Sequence, residues 1–206
     1  MKRITLLAVI LLALGGTTFA STLQNCGSCD GGVYTMNYET VSIGGATDVF
    51  NLFVTIDTTN YLYQSAYIHA IAPKVDSNYS SITLLQAPLG VAQWLLPQSG
   101  GINAGGCDGA GAGYFCTTTA GLGAPVSTHM NTFEWQIVVP HNTLLTATDA
   151  SALKILFVNG EGTKVGALMS EEFTLDPRIS TPEPASLALI GFGLTGLGFF
   201  SRRFRK

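Results

Sequence analysis

The pattern that constrains this chain most is alternation. Phe50, Leu52, Val54 and Ile56 are separated by Asn51, Phe53 and Thr55, and Phe133, Trp135, Ile137 and Val139 interleave with Thr132, Glu134 and Gln136. A period of two puts each apolar set on one face of an extended strand, and no sustained helical stripe competes with it between residues 31 and 176. Runs at 33–43, 62–72, 80–86, 91–96, 152–158 and 163–169 read as further strands, being rich in Val, Ile, Thr, Tyr and Phe and punctuated by Gly, Pro, Asn and Ser. Leu153–Val158, the turn Asn159-Gly160-Glu161-Gly162 and Thr163–Val165 predict a hairpin, because Asn-Gly accepts the positive φ of tight turns. About eight short strands predict an all-β domain: an antiparallel β-sandwich of jelly-roll type, with a partly open barrel as the alternative. A brief helix is expected near 141–151, where Thr148-Asp149-Ala150 can cap a turn. Residues 97–127 carry Gly100-Gly101 and Gly105-Gly106-Cys107-Asp108-Gly109-Ala110-Gly111-Ala112-Gly113, and are expected as a long surface loop unable to pack a core. Their glycine spacing is not a phosphate loop, since no Lys-Ser/Thr and no βαβ unit accompany it.

The two ends differ from this middle. Of 206 residues with formal charge −3, residues 1–20 carry Lys2 and Arg3. Residues 21–180 carry twelve acids against Lys74, Lys154, Lys164 and Arg178, and residues 181–206 carry four bases against Glu183. So acidic a middle lacks the clustered Lys and Arg that phosphate backbones require, and no nucleic-acid partner is expected. Met1–Ala20 reads as a secretory signal peptide: a basic start, an apolar run from Ile4 to Leu14, and Thr18-Phe19-Ala20 before a cut at Ser21. A first membrane span fits worse, because Gly15-Gly16-Thr17-Thr18 ends the run short of the roughly 17–25 residues needed. Ala185–Phe200 has no charge and is followed by Arg202, Arg203, Arg205 and Lys206. As a helix it spans roughly 24 Å at about 1.5 Å per residue. It is expected as one upright C-terminal transmembrane helix, its basic cluster stopping on the cytoplasmic side of the inner membrane. The rival reading, a helix of the globular core, would need a polar face that this stretch lacks. The expected division is a signal peptide over 1–20, an extracytoplasmic β-sandwich domain over 21–180 and a tail over 181–206.

Pro182-Glu183-Pro184 stands directly outside that apolar segment. Two prolines remove backbone donors and hold the chain extended, which suits a peptide presented to an enzyme's cleft. The order Pro-Glu-Pro-Ala-Ser, a short Gly/Leu/Phe span and a terminal Arg/Lys cluster resembles the sorting tail of the PEP-CTERM family of exported bacterial proteins. Thr181 stands where that family often has Val. The resemblance covers about the last 25 residues and implies a processing route. An exosortase, a membrane-embedded protease-transpeptidase, would recognise Pro182, Glu183 and Pro184 as substrate residues, cut the tail, and release or transfer the body to the surface or matrix of a Gram-negative cell. It also implies exopolysaccharide as a partner.

Four cysteines in an exported chain are expected to be paired. Of three connectivities the local pairs Cys26–Cys29 and Cys107–Cys116 are favoured, since each closes with little chain entropy and staples a segment otherwise too floppy to order. Zinc is a weaker reading because the second pair is too widely spaced, and a redox Cys-x-x-Cys would need a helix N-terminus. Neither metal nor cofactor is expected. His69 reads as a partly buried strand residue, and His129 and His141 as solvated turn residues. No Gly-x-Ser-x-Gly or His-Glu-x-x-His motif occurs, and the acids are scattered. The leading function class is a non-enzymatic surface or matrix protein. A carbohydrate-binding module would use Trp94, with Tyr61, Tyr63, Tyr67 and Tyr79, as stacking rings, against the plainer reading of these as core and strand-surface aromatics. A hydrolase would require His and Asp or Glu converging in a cleft.

Overall fold

The computed structural model describes residues 19–24, 26–75, 79–141 and 152–172. The expected signal peptide as far as Thr18, the brief helix within 142–151, and the sorting motif, apolar segment and basic cluster of the tail lie outside the described residues. In chain order the strands are β1 (Phe19–Leu23), β2 (Val33–Ser42), β3 (Thr47–Asp57), β4 (Tyr67–Pro73), β5 (Ser81–Gln86), β6 (Gln98–Ser99), β7 (Gly101–Asn103), β8 (Gly106–Gly109), β9 (Phe115–Thr118), β10 (Ala124–Pro125), β11 (Met130–Pro140), β12 (Ala152–Val158) and β13 (Met169–Glu172). One sheet has the order β1-β2-β3-β11-β5 and the other β13-β12-β4-β9-β6, with β10 added on β4. All of these pairings are antiparallel. Two 3-10 turns, Val91–Gln93 and Val126–Thr128, are the helical elements among the described residues.

Alternation builds the core as the sequence implies. Leu52, Val54 and Ile56 of β3 and Phe133, Trp135, Ile137 and Val139 of β11 are buried, and Leu52 stands opposite Trp135 and Val54 opposite Phe133. From the facing sheet, Ile68 and Ile71 of β4, Phe115 of β9, and Leu153, Ile155 and Phe157 of β12 enter the same buried cluster. The two sheets therefore pack as layers over one core, with Phe115 edge-on to Trp135 at 5.4 Å. Trp135 Nε1 donates to Thr117 Oγ1 at 3.2 Å, which satisfies the buried indole N–H across the layers. On the outward face of the first sheet, Thr22, Thr35, Thr55 and Thr132 lie in one row across four strands.

Two layers of antiparallel sheet, with almost no helix among the described residues, agree with the expected β-sandwich. Here β2–β3 and β12–β13 pair as hairpins, one in each sheet, because their connections hold consecutive strands together. Between them the major strands alternate between the sheets. β3 pairs with β11 while the strands that follow them, β4 and β12, pair in the opposite layer.

Four local expectations change. Residues 91–96 are not a strand: Leu89 and Gly90 both adopt positive φ, and the chain turns through Val91–Gln93 to drive Trp94 inward. Residues 62–66 form turns, with Ala66 N–H donating to the Tyr63 carbonyl, so β4 begins at Tyr67. The predicted hairpin survives as a loop closed by Asn159, whose side-chain carbonyl accepts the Glu161 and Thr163 N–H groups, but after the Val158–Lys164 bridge the chain leaves β12 until Met169. The glycine-rich stretch is not a bare loop. Its β7–β8 ribbon puts Ile102 and Cys107 into a second buried cluster with Ala70, Ala72, Leu156 and Val158 on the outer face of the second sheet. Glycine permits that packing, since a Cβ on Gly109 would meet the Ile102 carbonyl carbon at 2.5 Å.

Candidate functional site

The last described strand, β13, is the edge from which the chain proceeds to its tail. Four residue pairs hold it to β12. The N-terminal segment adds a second hold. Cys26 and Cys29 are joined, and the small ring presents Ser28, whose Oγ donates to Glu171 Oε1 at 2.6 Å and accepts the Ser170 N–H at 3.3 Å. Asp30, next to the ring, accepts the Ala167 N–H on its carboxylate at 3.3 Å and the Leu62 N–H on its backbone carbonyl at 2.8 Å. The two ends of the described chain are thus buckled together just before the tail. Burial, and secondarily the charge of Asp30, push the Tyr34 phenol well above the usual tyrosine value. Burial dominates again at Tyr61, with smaller contributions from Tyr34, Asp30 and Tyr63, so both groups stay neutral beneath the buckle. Nine residues separate Glu172 from Pro182, a reach of at most about 36 Å.

The cysteines pair as favoured, Cys26 with Cys29 and Cys107 with Cys116, and among the described residues no cysteine is free. The stacking residue does not hold. Trp94 is 5% exposed, lies edge-on to Phe133 at 4.8 Å and donates its indole N–H to the Pro88 carbonyl, so its ring is a core element and offers no platform to a sugar. Tyr61 is likewise buried and stacked on Phe157, Tyr67 packs on the second cluster, and Tyr79 lies against Phe115. Tyr63 alone of these is largely exposed.

His69 is the extra residue of a bulge in β4: Leu156 pairs with Ala70 and Phe157 with Ile68, which lets Ile68 and Ile71 both face the core. His129 is an exposed turn residue with φ 64. His141 is not simply solvated. Its Nδ1 lies 2.8 Å from Asp48 Oδ1, and that oxygen also accepts the Gly44 N–H at 2.9 Å. Alternation could not reveal this pair, because it joins opposite ends of two strands 93 residues apart. With the His141 N–H bonded to Ala46, it fastens the β2–β3 turn to the end of β11.

Such an arrangement defines a disulfide-stapled β-domain that leads into a C-terminal tail. Residues 180–206 match the family model of the PEP-CTERM protein-sorting motif, so the chain carries the tail of PEP-CTERM domain-containing proteins, the sorting signal of exported proteins handled by an exosortase. Nothing among curated proteins or among solved structures matches the chain.

Proposed function

We propose that this chain is a non-enzymatic envelope protein of a Gram-negative cell, exported by its N-terminal signal peptide and held briefly in the inner membrane by its C-terminal helix. An exosortase cuts the tail at the Pro182-Glu183-Pro184 signal, and the body then works at the cell surface or in the extracellular matrix, bound to exopolysaccharide. The observation that carries this reading is the sorting motif at 180–206. Its parts are ordered as such processing needs: an extended prolyl peptide, a charge-free span, and Arg202, Arg203, Arg205 and Lys206 to stall translocation. The buckle of Cys26–Cys29, Ser28 and Glu171 fits the same scheme, since a strand tied to both β12 and the N-terminal ring keeps its place when the chain beyond it is pulled or cut. Two disulfides agree with an oxidising destination. The His141–Asp48 pair is read as a structural clasp, because with the Gly44 and His141 N–H bonds it ties the β2–β3 turn to the end of β11. Replacing Pro182-Glu183-Pro184 with alanines tests the proposal: a membrane-retained, uncut precursor is expected, and normal release of the variant would refute the role given to the motif.

A further inference from the structure

The described body is acidic, with nine carboxylates against three lysines, yet two of those lysines converge on one ring. Lys154 Nζ lies 4.6 Å and Lys74 Nζ 5.9 Å from the centroid of Tyr114, so the two ammonium groups are within roughly 10.5 Å of each other. Both lysines are only partly exposed, and neither has a carboxylate within ion-pair distance among the described residues. Their backbones are fixed: Lys74 bridges to Tyr114 and donates its N–H to Ala152, while Lys154 sits mid-strand between Ala72 and Ser170. The glycine-rich stretch sets the ring. Gly113, at φ +77, lies where a Cβ would meet the Val75 carbonyl at 2.5 Å, and Cys116 is bonded to Cys107 two residues beyond Tyr114. Two partly buried ammonium groups outnumber the one carboxylate, Glu172, whose charge reaches the ring, and a ligand anion would complete them.

We infer that Lys74, Lys154 and Tyr114 form a binding site for the carboxylates of an acidic polysaccharide, the ammonium groups taking the charge and the phenol donating to a sugar oxygen. Burial and the charge of Glu172 hold that phenol above the usual tyrosine value, which keeps its proton for the purpose. A lipid phosphate fits less well, because none of the exposed large apolar residues lies on β4, β9 or β12, the strands that carry or adjoin the site. This inference deepens the matrix-association reading and rests on it.

The full-length chain in detergent micelles, titrated with polygalacturonate, neutral dextran and glycerophosphate, tests it. Polygalacturonate should bind and weaken as salt rises, dextran should not bind, and K74Q/K154Q should lose about tenfold or more in affinity. Lys164→Gln should change nothing, and K74R/K154R should restore binding in a chain with an unaltered thermal melt. No binding by the parent chain, equal binding to dextran, preference for glycerophosphate, or an equal loss in Lys164→Gln would each overturn the site. Tail processing should proceed normally in K74Q/K154Q cells, so a failure of sorting and a failure of this site read out separately.

Discussion

A single indole measures how the body is held together. Trp135 is fully buried, stacked on Phe133 at 5.5 Å and bonded to Thr117 of the opposite sheet, so Trp135→Ala opens a cavity and orphans a hydroxyl. It should cost about 3–5 kcal/mol of stability in urea denaturation. Trp94→Ala should act in the same way, lowering stability rather than removing a ligand; an unchanged denaturation midpoint would contradict its place in the core. At the surface, Asp57 shows the sign of a pH effect. Hydrogen bonds from the Thr59 side chain and backbone hold its carboxyl below the ordinary value, with a lesser contribution from His129. A lowered folded pKa gives stability that is present above the unfolded value of about 3.9 and lost as pH falls through the folded one. The stability difference between the parent chain and Asp57→Asn should therefore be flat near neutrality and shrink below about pH 4. A difference that widened on acidification would contradict the assignment.

Strands were legible where one face is wet and the other dry. β2, β3, β5, β11 and β12 fall close to their predicted positions, β3 and β11 because their alternation is long, and β12 because a continuous apolar run ends at Asn159-Gly160. Sequence was silent where distant contacts decide. The bulge at His69 is set by pairing with β12, and the β7–β8 ribbon packs through Ile102 and Cys107 with glycine doing the rest, too few apolar letters to announce a buried surface. Likewise Lys74, Tyr114 and Lys154 come from three separate places in the chain, whereas the tail was readable because an enzyme would meet it as a linear, extended peptide. The two staples lead to an element-level prediction. Reduction of Cys107–Cys116, a bridge spanning nine positions, should cost about 2.5 kcal/mol if its effect is chain entropy. Amide exchange should then rise first in the ribbon. Replacing Cys26 and Cys29 with alanine should instead free Ser28 and raise exchange at Ser170–Glu172, with the core strands unaffected. Equal protection of β13 in that variant would show that the buckle is not needed to seat it.

At the scale of the whole molecule, three parts carry three kinds of information. The alternating middle specifies a body with its own core, two disulfides staple it, and the motif at 180–206 marks it for sorting. β1 adds a structural constraint on export, since Phe19 and Ala20 pair with Tyr38 and Asn37 although the expected cut falls after Ala20. The mature strand would keep Ser21–Leu23, with Leu23 still packed on the core. Intact-mass spectrometry of the protein recovered from cells with and without their exosortase tests the account most directly. It predicts a released species that begins at Ser21 and lacks the apolar segment in the first strain, and a membrane-bound species retaining Lys206 in the second. Identical masses in the two strains, or a chain bearing both termini in the cytosol, would contradict it.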